Sequence, residues 1–427
     1  MIPSRITSFT ASTTAAGGEL YFTWTSPGAN ASSGTLVAGS SFTIQLSTYV
    51  VNWSTANFTV KMPTSSVDAD AFQSTPPVTG LIGGATYYAR IWTSDQYGFT
   101  SLLSVGATAE TRAYVPTSPG VNAVETSSIT FSWLGPNNST ATVYVAEIST
   151  DDFITTNFTS ATYNLSVLFG TGGAGNPLSA DTTHYFRVKA RNSNQLETAY
   201  SGVQSTATLA QIPGAGSPVF TTVQLSSVNF SWTANNNPTG TDYQAQISTD
   251  DFSTVNFTSS TKNVAVLFGT GGAGSALTSN ATHYFRVRAL NLNNVLSAYA
   301  APQSTATLAQ IPGAGSPVFT TVQLSSVNFS WTANNNPTGT DYQAQISTDD
   351  FSTVNFTSST KNISVLFGTG GAGIALTSNA THYFRVRASG WTGLASAYAS
   401  TQSTITVPAA PGSPALSNVA VNSARLD

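Results

Sequence analysis

The chain has 427 residues, of which only 7% are charged, with a net charge of −4 and no cysteine. That composition excludes disulfides, thiolate metal sites and thiol nucleophiles, and with no basic cluster it offers neither nucleic acid nor an anionic membrane an electrostatic footprint. No apolar run approaches the ~18 residues that cross a bilayer, and Met1-Ile2-Pro3-Ser4-Arg5 lacks the basic start and apolar stretch of a signal peptide.

Along the chain one unit is written four times. A looser first copy centres on Trp24, after which Trp133, Trp232 and Trp331 stand 99 residues apart, as do His184, His283 and His382. Self-similarity at fixed spacing marks an array of units, and about 100 residues is enough for each unit to hold its own core. The spacing predicts domains at 1–114, 115–211, 212–310 and 311–408. Residues 409–427 then read as the opening strands of an incomplete fifth copy, since Val421, Ala424 and Leu426 align with Leu225, Val228 and Phe230.

The third copy shows the pattern of elements. Val228, Phe230 and Trp232 alternate with Asn229 and Ser231, a period of two that predicts a half-buried strand. The turn formers Asn235-Asn236-Asn237-Pro238-Thr239-Gly240 follow, and then Tyr243, Ala245 and Ile247 alternate with glutamines. Beyond Val264 and Val266 comes a Gly-rich stretch, and Leu277 precedes the alternating His283, Phe285, Val287 and Ala289. Short strands separated by turns, with no helical period, predict an all-β sandwich.

These residues resemble the fibronectin type III family. The likeness is carried by Trp24, Trp133, Trp232 and Trp331 on the second strand, and by Leu81 followed six residues later by Tyr87 and then Ala89 and Ile91. The resemblance implies that each unit of the tandem array is a seven-stranded sandwich of two sheets, and implies little about activity because the fold is widely reused. Where the first copy has Tyr87, the later ones have His184, His283 and His382, at the family's tyrosine corner. A partly buried ring bonding the backbone accounts for all three histidines, with Tyr88, Tyr185, Tyr284 and Tyr383 turned outward.

Other patterns have bland readings. The glycine runs Gly170 to Gly175, Gly269 to Gly274 and Gly368 to Gly373 lack the following helix a phosphate loop needs, so they read as loops or bulges. Asp151-Asp152, Asp250-Asp251 and Asp349-Asp350 have no spaced acidic partners, so capping of a turn is favoured over calcium. Fourteen Asn-x-Ser/Thr sequons reflect the abundance of Ser and Thr. No catalytic constellation, metal site or cofactor site is predicted.

Between copies three and four, seven contiguous positions differ, Leu290 to Leu296 against Ser389 to Ala395, amid near identity. The resemblance makes this the hairpin loop joining the last two strands, often a binding loop. Leu290, Asn291, Leu292 and Asn293, with Ser389, Gly390, Trp391 and Thr392, are therefore the candidate recognition residues, and Trp391 a possible anchor. Drift in a tolerant loop explains the same differences. Trp53 and Trp92 are further candidate exposed aromatics.

Gln211-Ile212-Pro213-Gly214-Ala215-Gly216-Ser217-Pro218 recurs unchanged as Gln310 to Pro317. Equal joints between equal units predict equal rotations, and strands of ~3.4 Å per residue predict a rod of roughly 120 to 140 Å. The expected role is structural: a segment of a secreted or cell-surface protein that packs with copies of itself into a fibre, sheath or appendage. The alternative is a spacer or ligand-binding array of an adhesin or carbohydrate-active enzyme, with a surface glycan or protein as partner. Val419, Val421 and Leu426 are either the start of a further copy or an apolar strand donated to a neighbouring chain.

Overall fold

The computed structural model describes residues 2–30, 33–51, 53 and 58–412. Val419, Val421 and Leu426, the candidate donated strand, lie outside the described residues. Two compact units divide the chain: Met1–Gln211 with Asn236–Pro238 and Leu290–Val295, and Ile212–Asn235 with Thr239–Ala289 and Leu296–Asp427.

In the second copy seven strands form, at Thr117–Val124, Ser128–Leu134, Val143–Ser149, Phe158–Thr162, Ser166–Gly170, Thr183–Arg191 and Gln204–Ala207. Strands one, two and five make one antiparallel sheet in the order first–second–fifth. The others make a second sheet in the order fourth–third–sixth–seventh. Copies three and four repeat both orders. The chain is thus all-β among its described residues, a tandem series of sandwiches with the fibronectin type III strand arrangement.

Alternation in sequence becomes alternation in burial. Along Thr183–Arg191 every second side chain is buried, so His184, Phe186, Val188 and Ala190 face the core while Tyr185, Arg187 and Lys189 lie on the outer face. Phe186 stacks on Phe131 at 5.3 Å, and Phe131 meets Trp133 at 5.5 Å. The same cluster recurs in the fourth copy around Phe329, Trp331 and Phe384. Each fully buried large apolar side chain contributes about 1.5–3 kcal/mol, and this periodic burial fixes strand register, because a one-residue slip would expose the whole set.

The first copy departs from seven strands. Between Leu36–Val37 and Ser66–Val67 it adds a two-stranded ribbon to the usual three- and four-stranded sheets. Leu36 is wholly buried in the core and Val67, paired with it, packs against the same cluster, so apolar side chains from both strands hold the ribbon.

Candidate functional site

What recurs with the sandwiches is a set of polar contacts at the joints. In the first unit Asn237 holds the linker peptide at Gln211 from both sides: the Gln211 N–H donates to Asn237 Oδ1 at 2.7 Å, and Asn237 Nδ2 donates to the Gln211 carbonyl at 2.8 Å. Asn138 grips Tyr114 in the same way, at 2.7 and 3.0 Å. In the second unit Asn336 grips Gln310, at 2.8 and 2.8 Å. Asn237 and Asn336 are each 6% exposed, so the amide replaces water for a peptide group that would otherwise be left unpaired. The run Asn235 to Gly240 announced a turn, but nothing in it distinguished the clamping asparagine from its neighbours.

The variable hairpin loop is the second joint element. Within the first unit, Asn291 Nδ2 donates to the Thr208 carbonyl at 3.0 Å, the Leu292 N–H to Asp181 Oδ1 at 2.7 Å, and Asn293 Nδ2 to Thr206 Oγ1 at 2.9 Å. The equivalent loop of the second copy docks on the first. There Asn192 Nδ2 donates to the Thr111 carbonyl, and the Ser193 and Asn194 N–H groups donate to the Glu110 carboxylate at 2.8 and 3.0 Å. Within the second unit the Trp391 N–H donates to Asn280 Oδ1 at 2.9 Å. Gly390 has no side chain to add, and Ser389 ends the preceding strand.

Thus the loop from Leu290 to Asn293 and its counterpart from Ser389 to Thr392 both spend backbone donors on the copy before them. The Asn291 and Asn293 side chains join them there, whereas Leu292 is 62% and Trp391 51% exposed. The seven residues that break the repeat therefore lie where one copy meets the next. Sequence comparison isolated the loop but not the acceptors, because Asp181 and Asn280 are remote from it in sequence.

Tyr87, His184, His283 and His382 occupy one buried position, each 2% or 3% exposed. The Ile82 N–H donates to the Tyr87 hydroxyl at 2.9 Å. His283 Nε2 pairs with the Thr278 carbonyl at 3.3 Å and His382 Nε2 with the Thr377 carbonyl at 3.2 Å, over the same five-residue span. His184 faces the Ser179 backbone without reaching hydrogen-bonding geometry. Burial holds the His184 and His283 imidazoles below the ordinary histidine range, opposed in part by those backbone groups. The rings are less exposed than the partly buried ones expected. Beside each of the three histidines lies a crevice; the one in the fourth copy, about 530 Å³, is lined by Phe356, Ile374, Leu376 and His382.

The first aspartate of each pair, Asp151, Asp250 or Asp349, caps a turn. Asp250 Oδ1 accepts from the Thr254 N–H at 2.8 Å and from the Ser248 hydroxyl at 2.8 Å, while Oδ2 accepts from the Thr254 hydroxyl at 2.7 Å. Those bonds, the Thr254 hydroxyl first, hold its carboxyl below the usual carboxylate range. Phe252, in the same turn, is folded under Arg286, whose guanidinium lies 4.1 Å from its ring and 4.0 Å from that of Tyr299. Arg187 and Arg385 are sandwiched alike. Neither stack was foreseen, since the aromatic partners come from different loops. Trp53 packs under Arg90 at 4.4 Å, and Trp92 is half-buried.

Each glycine run begins at a residue that must be glycine. Gly269 has φ of 97°, and a Cβ there would collide with the Ser226 carbonyl. The run closes on itself, with the Gly269 N–H donating to the Ala273 carbonyl at 2.9 Å. Among the described residues no group of three or more His, Cys, Asp or Glu side chains converges as a metal site would require, and no helix is long and apolar enough to cross a membrane.

No family model matches the chain, and no curated protein matches it. Among solved structures it is similar to the crystal structure of chicken CNTN1 FN1-FN3 domains, at 14% identity and a TM-score of 0.28, over 72% of this chain and 99% of that one. Strand order and register in each copy carry the fold.

Proposed function

We propose that the chain is a non-enzymatic structural repeat region of a secreted or cell-surface protein, packing with copies of itself into a fibre, sheath or appendage. The observation that supports this reading most is the joint. Its asparagine clamp is built three times on equivalent residues, and its polar groups serve the contact between copies rather than a pocket. A sparsely charged surface opposes close packing of copies only weakly. No nucleic acid, inserted membrane or cofactor enters this role.

The half-exposed Trp391 favours a second reading, a ligand-binding array whose partner is a surface glycan or protein. Concentrating the purified chain alone and with Trp391→Ala, then following light scattering and pelleting, separates the two. Assembly of both proteins supports the structural role. Glycan or cell binding by the wild type that the variant loses, without assembly of either, supports recognition instead.

A further inference from the structure

Each sandwich of copies two to four has four sheet edges, and three of them are closed. The first strand carries a proline, Pro119, Pro218 or Pro317, and shifts register against the second. The fifth is covered by its glycine run: the Ala273 N–H donates to the Leu267 carbonyl at 2.8 Å and the Gly269 N–H to the Ala273 carbonyl at 2.9 Å, and the other two copies repeat both bonds. The seventh is four residues long. Prolines, broken register, covering loops and shortness all keep an edge from accepting another strand.

The fourth strand has none of these devices. Phe158–Thr162, Phe257–Thr261 and Phe356–Thr360 each pair with the third strand through five residues without a shift, and they contain neither charge nor proline. Apart from that ladder no backbone partner reaches them among the described residues, so the N–H and C=O groups on the far side stand open. The first copy shows this same edge closed: its counterpart, Phe58–Pro63, places Lys61 opposite Thr43 and ends on Pro63. At the position of Lys61 the later copies have Ala161, Ser260 and Ser359, all exposed. Lys262 and Lys361 follow in the bend beyond the strand, and Lys262 is drawn back onto its own copy, 3.2 Å from the Gly240 carbonyl and 3.4 Å from the Asp242 carboxylate.

The strand fits its own duplicate. Laid antiparallel about a two-fold axis at Ser259, all five residues of Phe257–Thr261 find partners, with Thr258 opposite Ser260, so hydroxyls meet hydroxyls and no charge meets a like charge. Reversal also turns the exposed Phe257 of each strand toward the other's exposed Val264 end. Phe158 with Leu165 and Phe356 with Ile363 repeat those exposed ends. We infer that the fourth strands of copies two to four are docking edges, each pairing antiparallel with the equivalent strand of a second molecule of this chain. The inference rests on the self-assembly reading above and names its contact.

Two measurements on the full chain test it. In the first, Ala161→Lys, Ser260→Lys and Ser359→Lys together copy the residue that the first copy already holds at this position, and a second protein carries Glu at the same three sites. Symmetry sets like charges on one face of neighbouring strands, so each variant alone should associate at least tenfold more weakly than wild type in sedimentation velocity, while an equimolar mixture of the two should recover. Thermal melts check that both fold.

In the second, hydrogen exchange of the unaltered chain should slow at the amides of Phe257–Thr261 when it is concentrated. Variants that associate as wild type does, a mixture no better than its parts, or association that leaves those amides unprotected overturns the contact. If the wild type still forms ordered assemblies in that case, self-assembly stands without this edge; if the wild type associates at no concentration, both fall.

Discussion

At the scale of single residues, the corner histidines couple the fold to pH. Burial depresses the His184 and His283 pKa values in the folded state, so the unfolded chain binds protons first. Their contribution is therefore complete above the unfolded histidine value of about 6.5 and is lost as pH falls toward the folded values. Lowering pH from neutral to about 5 should reduce Tm, and His184→Tyr with His283→Tyr, copying Tyr87, should flatten that slope. An unchanged slope in the double variant would place the pH dependence elsewhere. The position itself was legible from the 99-residue spacing. The depth of burial was not, because it depends on how closely the second sheet covers the ring.

Among elements, strands and linkers differ in how far sequence revealed them. Period-two runs such as Val228 to Trp232 located the strands, since burial on one face demands that pattern. Trp232 is 3% exposed and packs at 5.5 Å on Phe230 and 5.6 Å on Tyr243. Trp232→Ala should therefore cost about 3–5 kcal/mol, measured by denaturant unfolding of the full chain. The clamp was not legible. One asparagine among several became essential only because the folded linker presents both a donor and an acceptor to it. Asn237→Ala strands two peptide groups, 26 residues away in sequence, and should cost about 1–3 kcal/mol. Hydrogen exchange at the Gln211 amide should rise with it, while exchange in the strand Ser227–Thr233 stays put; equal protection of Gln211 in variant and wild type would remove the clamp from the account.

For the whole molecule, repetition decides what the polar residues are for. Elements that recur every 99 residues, such as the corner, the capped aspartate turn, the arginine between two rings and the clamp, serve one copy or one joint. The stretch that does not recur, Leu290 to Leu296 against Ser389 to Ala395, meets acceptors that also differ, Asp181 in one case and Asn280 in the other. Loop and acceptor vary together, which ties the variable residues to contact between copies and gives the structural reading its weight. Electron microscopy of the concentrated, otherwise unsupplemented chain tests that reading most directly. The account predicts ordered filaments or sheets built from many copies; a field of dispersed single molecules at every concentration would contradict it.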